Sequence, residues 1–195
     1  MTLLQKLTPF ALIFAAATAS AAPAKTPKAG TYTIDPVHSF SLFKIQHFGA
    51  GFVYGWFKET DGKFVVADDA AKSSLELTIK ADSIDTHNAK RDGHLQSPDF
   101  FNAAQFPTIT FKSTKVAKAA DGSFDVTGDL TIRGKTKSVT AKVAPTGGAE
   151  DPQKKYRGGF EGHTTINRND FDLGFMPGAL GDSVEITLAL EGVAQ

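Results

Sequence analysis

Five histidines supply the side chains in this sequence that are best suited to bind a metal or to transfer a proton. His38 and His47 are nine positions apart on one predicted strand, which places them on opposite faces of an unbulged strand. His87 and His94 flank a short irregular segment, and His163 stands alone. The sequence has no H-x-H pair, no HExxH motif and no carboxylate spaced for a conventional zinc or iron site, so it predicts no metal site.

The run Arg91-Asp92-x-His94 is the best candidate for acid–base chemistry. Asp92 and His94 could together act as a general base, but the sequence offers no nucleophile that they would activate. Cysteine is absent, no G-x-S-x-G motif occurs, and the side chain of Ser39 points away from that of His38 because neighbours on a strand face opposite sides. No phosphate-binding glycine loop precedes a helix. We therefore predict that the protein is not an enzyme.

The same polar residues could instead contact the charged head of a ligand, since arginine suits phosphate and carboxylate groups. The alternative is a structural role, in which Arg91, Asp92 and His94 tie their segment to neighbouring strands. A second motif, Asn167-Arg168-x-Asp170, lies just after a predicted strand, where Asn167 and Asp170 readily build a turn. We favour this structural role for both motifs. The candidate head-group contacts are Arg91, Asp92, His94 and Arg168.

Alternation of apolar and polar residues predicts that β-strands position these side chains. Leu75, Leu77 and Ile79 share one face of their run. Turn pairs are predicted to separate the runs: Asp61-Gly62, Asp121-Gly122, Arg133-Gly134, Gly147-Gly148 and Gly181-Asp182. The predicted strands are Tyr32–Phe48, Phe52–Val66, Leu75–Ile84, Ile109–Val116, Phe124–Ile132, Ser138–Ala144, Gly159–Ile166 and Val184–Val193.

Eight strands joined mostly by hairpins favour an antiparallel barrel, because closure removes exposed sheet edges and the sequence has no long helix to cover a flat sheet. His87–Asn102 breaks the period of two, and Ala89–Leu95 predicts a short helix over one end. Such a barrel is either filled by side chains or holds one small ligand. Small residues on the inward face would leave empty volume for a ligand. Alternatively, the glycines among them only allow the strands to bend at the corners of the barrel. These small residues are Ser39, Ser41, Gly55, Ala81, Gly128, Ala141 and Gly162.

Composition and the N-terminus indicate where the protein acts. Basic and acidic residues both number 21, which gives no electrostatic reason to bind nucleic acid. Residues 1–22 carry Lys6, an apolar stretch and an A-x-A-like site, and are predicted to be a cleaved signal peptide that directs the chain to the periplasm. Residues 23–30 are predicted to be a flexible tether and residues 31–195 the folded domain, with no later segment able to span a membrane.

The order and spacing of several short runs resemble one known family along nearly the whole chain. The runs are Asp35-x-x-His38-Ser39-x-x-x-Phe43-Lys44-Ile45-Gln46-His47, Gly55-x-Phe57 with Asp61-Gly62, Ile84-Asp85-Thr86, Ala89-x-Arg91-Asp92-x-His94-Leu95-x-Ser97-x-Asp99-Phe100-Phe101, Phe106-Pro107, Gly128-Asp129-Leu130-Thr131-Ile132-x-Gly134-x-Thr136, Asn167-Arg168-x-Asp170-Phe171 and Glu191-Gly192. The chain resembles the YceI-like family of periplasmic polyisoprenoid-binding proteins.

The resemblance implies an extended lipocalin-like, eight-stranded antiparallel β-barrel with helices near one end. It also implies a bound isoprenoid lipid or quinone in the interior, with no covalent cofactor. Burial of a long hydrocarbon chain supplies affinity without polar groups. The residues expected to line the ligand site are Phe43, Ile45, Phe57, Leu75, Leu77, Ile79, Phe111, Leu130, Ile132, Phe160, Ile186 and Leu188.

Three functions follow as hypotheses. We favour a periplasmic carrier of a long isoprenoid lipid. The alternatives are an enzyme acting on an isoprenoid-type substrate, and an envelope stress or interaction module whose barrel is filled. The sequence leaves both a monomer and a homodimer open.

Overall fold

A computed structural model describes residues 24–195 of the chain. The predicted signal peptide, residues 1–22, lies outside the described residues. Residues 24–29, within the predicted tether, form no regular element but contact the domain. Pro27 is buried, and the hydroxyl of Tyr32 donates to the carbonyl of Lys28 at 2.7 Å.

Antiparallel strands make up most of the described chain. One α-helix, α1, spans Ala89–Gln96, and 3₁₀ helices span Ala70–Lys72, Ala81–Ser83 and Arg168–Phe171. The strands are β1 (Gly30–Ile34), β2 (Phe40–His47), β3 (Gly51–Phe57), β4 (Thr60–Val66), β5 (Ser74–Lys80), β6 (Ile84–Asp85), β7 (Thr108–Lys118), β8 (Phe124–Ile132), β9 (Lys135–Glu150), β10 (Tyr156–Asn167) and β11 (Leu180–Ala194).

These strands close into a barrel with eight members, as the sequence predicts. We call each member a stave, whether it is one strand or two consecutive strands separated by a bend. Each of the first three predicted strands is divided by a bend, so that β1 with β2, β3 with β4, and β5 with β6 each form one stave. β11 pairs with β10 along one edge and with both β1 and β2 along the other, where Tyr32 lies opposite Ala194 and Phe43 opposite Ile186. The connections between staves are up-and-down throughout.

Three of the predicted turns are wrong, because Asp61-Gly62 lies in β4, Gly147-Gly148 in β9 and Gly181-Asp182 in β11. Gly147-Gly148 lies inside β9, opposite Gly158 and Gly159 of β10. A Cβ at Gly148 would collide with the phenol of Tyr156, and one at Gly159 with the hydroxyl of Thr146. The glycines therefore permit close packing of two long strands, and β9 and β10 extend further than the alternation of apolar residues predicts.

The helix begins where the sequence predicts, because Asn88 caps its first turn. The Asn88 side chain accepts a hydrogen bond from the backbone N–H of Arg91 at 3.0 Å. The helix and the turns that follow it bring Phe101 to the barrel end, where its ring meets that of Phe57 edge-on at 5.5 Å. No helix within residues 24–195 is long and apolar enough to cross a membrane.

The barrel interior has two halves. We call the half around β1 and the C-terminal end of β11 the packed end; its buried cluster is Tyr32, Ile34, Phe64, Val66, Leu77 and Leu190. We call the half beneath α1 the hollow end; its buried cluster is Phe57, Ile79, Ile84, Ile109, Leu130, Ile132, Ile166, Phe171 and Leu173.

Candidate functional site

An apolar cavity of about 300 Å³ occupies the barrel interior. Inward residues of every stave line it, and α1 and the loop 172–179 complete its wall. The volume lies at the lower end of the range for small-molecule pockets. The barrel is therefore not filled by its own side chains, which removes the basis of the filled-barrel alternative. All twelve residues predicted to line a ligand site lie in the wall: Phe43, Ile45, Phe57, Leu75, Leu77, Ile79, Phe111, Leu130, Ile132, Phe160, Ile186 and Leu188.

Sequence reasoning missed other residues of the cavity wall. Val53, Val139 and Val184 follow the same period of two as the predicted residues, so the alternation could have found them. Leu173 and Met176 also line the cavity, but they belong to the loop 172–179, where no period exists. Their position depends on how the loop folds back over the barrel end.

The small inward residues have two different roles. A Cβ at Gly55 would lie 2.5 Å from the ring of Phe43, so this glycine makes room for a neighbouring ring. Gly128 serves the ring of Phe111 in the same way. Gly162 and Ala141, in contrast, line the cavity directly. The interpretation that small residues leave empty volume is therefore wrong for Gly55 and Gly128.

A second apolar cavity of about 70 Å³ lies toward the packed end. Phe160 belongs to the walls of both cavities. Its ring packs edge-on against Phe64 at 5.5 Å and against Phe124 at 6.3 Å. The side chain of Phe160 thus stands between the two spaces.

Arg91 and Asp92 are held by one threonine. Arg91 donates from Nε to Oγ1 of Thr86 at 2.7 Å and from Nη2 to the Thr86 carbonyl at 2.6 Å. Oδ1 of Asp92 accepts from the backbone N–H of Thr86 at 2.9 Å and from its hydroxyl at 2.5 Å. Arg91 lines the cavity and Asp92 does not. Asp92 therefore anchors the start of α1 to β6.

His94 lies at the cavity wall with a different partner from Asp92. Its Nε2 is 2.9 Å from Oδ2 of Asp99, and its ring meets Phe100 and Phe175 edge-on. Asp92 and His94, which could have acted together in acid–base chemistry, therefore contact different residues and not each other.

Arg168 is 3% exposed and uses all of its hydrogen-bonding capacity inside the protein. A guanidinium carries five N–H donors. Here they reach the carbonyls of Leu173, Phe175, Leu180 and Gly181 and the carboxylate of Asp182. Arg168 therefore ties the loop 172–179 to the start of β11 and has no donor left for a ligand.

The sequence analysis did not predict a network of charged side chains that lies at the packed end. Nη1 of Arg157 lies 2.6 Å from both Oδ2 of Asp35 and Oε1 of Glu191, and its Nε lies 3.0 Å from Asp151. Hydrogen bonds from Arg157 and then from His38 hold the pKa of Asp35 well below its usual range. Asp35, His38 and Glu191 are close enough together to share an ion, but the guanidinium already sits between the two carboxylates. The network joins β1, β10 and β11.

The fold and the cavity define a lipocalin-like barrel with an apolar interior cavity. The chain belongs to the YceI-like family, whose domain matches residues 32–192. A UPF0312 protein of Ectopseudomonas mendocina (strain ymp) is 42% identical over 172 residues, which cover 86% of this chain and 89% of the relative.

Solved structures share the fold. BcnA of Burkholderia cenocepacia superposes with a TM-score of 0.74 at 26% identity, covering 81% of this chain and 98% of its own. A polyisoprenoid-binding domain from Saccharophagus degradans, implicated in plant cell wall breakdown, superposes with a TM-score of 0.67 at 16% identity. That comparison covers 86% of this chain and 100% of the domain.

Proposed function

We propose that this protein is a periplasmic carrier that holds a long isoprenoid lipid, such as a quinone or another prenyl lipid, inside its barrel. The observation that carries the proposal is the cavity of about 300 Å³ with an almost wholly apolar wall. The polyisoprenoid-binding domain of S. degradans, which has the same fold, supports the choice of ligand class. The predicted signal peptide supports the compartment.

Hydrocarbon burial is sufficient for tight binding in such a cavity. Each buried CH₂ contributes about 0.8 kcal/mol, so a few isoprene units outweigh the absence of polar contacts. Ordering of the flexible chain and loss of its free motion offset much of this gain. The ligand is therefore selected by its apolar length and its methyl branches, and no catalytic group is required.

The head of the lipid is proposed to lie near α1. Three candidate head-group residues, Arg91, His94 and Arg168, lie in the cavity wall, and Arg91 has no partner for Nη1 among residues 24–195. Asp92 and Arg168 are committed to protein contacts. Arg91 and His94 are thus the residues to vary when the head group is tested.

Native mass spectrometry of the protein purified from its own host tests the proposal. We expect the wild type to carry an added mass that matches an isoprenoid lipid. Gly162→Leu places a side chain in the cavity and should reduce the lipid-bound fraction severalfold, because Gly162 lines the wall. Thr165→Leu adds the same side chain on the outward face of the same strand and should leave the bound fraction unchanged.

Absence of lipid from repeated wild-type preparations would contradict the proposal, as would equal lipid occupancy in both variants. Thermal unfolding of both variants confirms that each is folded. Loss of a measurable turnover on replacement of Asp92 or His94, with lipid retained, would favour the enzyme hypothesis instead.

A further inference from the structure

Large exposed hydrophobic side chains are concentrated on one hairpin. Within residues 24–195, seven such side chains are more than about one third exposed, and five of them belong to β2, β3 and the turn between these strands. We call these five the aromatic stripe: Phe40 (49% exposed), Phe48 (62%), Phe52 (53%), Tyr54 (65%) and Trp56 (41%). Scattered apolar residues are normal on a protein surface, but a contiguous patch marks an interaction site.

The strand register makes the stripe continuous. Phe52, Tyr54 and Trp56 occupy alternate positions of β3 and therefore share its outward face. Tyr54 lies opposite Lys44 of β2, whose Nζ sits 4.2 Å from the centre of the Phe52 ring. Phe48 projects from the turn at the end of the hairpin.

The hairpin that carries the stripe has no acidic residue of its own. The sequence from Phe40 to Phe57 contains no aspartate or glutamate, although the chain has 21 acidic residues. Lys44 is the only lysine or arginine in this segment. The nearest carboxylates belong to neighbouring strands: Glu185 of β11 is paired with Lys44 at 3.0 Å, and Asp85 of β6 lies opposite Trp56. The hairpin itself therefore adds no electrostatic repulsion at an anionic lipid surface. Tryptophan and tyrosine suit the boundary between lipid and water, because their rings are apolar and carry one polar group.

The hairpin carries the stripe on one side and the cavity on the other. Ile45 and Val53, on the inward face, line the cavity directly behind the stripe. At the tip, the backbone N–H of Phe48 donates to the carbonyl of Ala179 at 2.7 Å. That bond joins the hairpin to the loop 172–179, which bears the exposed Phe175 and the cavity residue Met176. The tip, the loop and the cavity wall form one rim.

We propose that the aromatic stripe docks the protein on the surface of a phospholipid bilayer. The choice of a bilayer rests on the proposed function, since a lipid cargo is taken from a membrane and returned to one. Docking brings the rim against the lipid, so that the hydrocarbon tail passes between bilayer and cavity without crossing water. The hairpin then serves as both the docking surface and one wall of the ligand site.

Intrinsic tryptophan fluorescence reports on this contact, because Trp56 is the only tryptophan of the chain and lies in the stripe. The protein, purified in the form that accumulates when the full chain is expressed, is mixed with vesicles of phosphatidylethanolamine and phosphatidylglycerol. We expect the Trp56 emission to shift to shorter wavelength, and brominated lipids to quench it. In Trp56→Phe/Phe52→Trp the reporter moves toward the tip, so quenching should increase.

Co-sedimentation with the same vesicles measures the energetic role of the stripe. Phe48→Asn/Phe52→Ser should lower the vesicle-bound fraction about tenfold or more, because both exposed rings are lost. Asparagine is chosen at position 48 because its backbone φ is 50°, a conformation that asparagine tolerates. Val37→Ser is the matched control: Val37 is 73% exposed but lies before β2, and its removal should change binding by less than about twofold.

Three results would overturn the docking surface: wild-type protein that ignores the vesicles, equal binding by Phe48→Asn/Phe52→Ser, or equal loss in Val37→Ser. A wild-type dimer that forms without lipid and dissociates in Phe48→Asn/Phe52→Ser would also overturn it, since the stripe would then bind a second copy. Native mass spectrometry of the same samples separates the two proposals. Lipid in the barrel without vesicle binding refutes docking alone, and vesicle binding by a lipid-free barrel refutes the carrier alone.

Discussion

The packed end and the hollow end of the barrel use aromatic residues in opposite ways. At the packed end, the rings of Tyr32 and Phe64 stack at 4.8 Å with an angle of 12° between their planes, and Gly192 lets both lie against the backbone. At the hollow end, Phe43 lies against the wall beside Gly55 and is half-buried, because its free side faces the cavity. The same residue types therefore close one half of the interior and leave the other half open.

The difference teaches what leaves this interior hollow. Removing side-chain volume at Gly55 and Gly128 does not by itself create a cavity, since neighbouring rings fill those spaces. The cavity exists because the rings of Phe43 and Phe111 pack against Gly55 and Gly128 in the wall and leave the centre of the barrel empty. The aromatic side chains are thus wall lining at the hollow end and core at the packed end.

Truncation of one ring in each half tests this contrast and has the largest expected effect. Phe64→Ala should lower the free energy of unfolding by about 3–5 kcal/mol, because its buried ring packs on Tyr32 and Phe160 and borders only the smaller cavity. Phe43→Ala should cost about 1–2 kcal/mol, because its ring already borders a cavity. Urea unfolding of delipidated protein measures both. Equal losses would show that the two halves are packed alike.

The charge network at the packed end gives the second prediction. Arg157→Met leaves the carboxylates of Asp35, Glu191 and Asp151 without their cation, and should lower the midpoint of urea unfolding near neutral pH. Lys44→Ala at the hollow end removes an exposed ion pair with Glu185 and should change the midpoint much less, because solvent screens an exposed pair.

Acid should remove the advantage that the network confers. The pKa of Asp35 is lower in the folded chain than its ordinary value of about 3.9. The unfolded chain therefore binds more protons below about pH 4, and the contribution of Asp35 to stability is present above that pH and lost as the pH falls through the folded pKa. Urea unfolding between about pH 7 and 3 should show the gap between wild type and Arg157→Met shrinking below pH 4. A gap that stays constant would exclude Asp35 as the cause.

Phe160 stands between the two cavities and gives the prediction with the smallest expected effect, a shift in the length of the bound lipid. Phe160→Ala should join the cavities of about 300 and 70 Å³. Under the proposed function, the co-purified lipid should then shift toward longer chains in native mass spectra. Phe124→Ala is the control, because Phe124 borders the smaller cavity and is absent from the wall of the larger one. An unchanged lipid distribution in Phe160→Ala would show that Phe160 does not limit tail length.

Much of the fold and of the cavity wall could be predicted from local pattern. The period of two at Leu75, Leu77 and Ile79 predicted both a strand and the face that lines the cavity. The helix was predictable because Asn88 caps it where that period breaks. Gly147-Gly148 was misread as a turn because two glycines in sequence do not show whether a facing strand requires them.

The sequence by itself determined the eight staves, their inward faces and the place of the helix, because strand period, turn residues and caps act over a few neighbouring residues. Only the tertiary structure decided that Arg157 joins Asp35 to Glu191, residues more than 150 positions apart, and that Arg168 has no donor left for a ligand. It also decided that Phe43 and Phe111 line a cavity while Tyr32 and Phe64 fill a core. The physical reason is that such roles depend on what lies opposite a side chain, and closure of the barrel sets those distances.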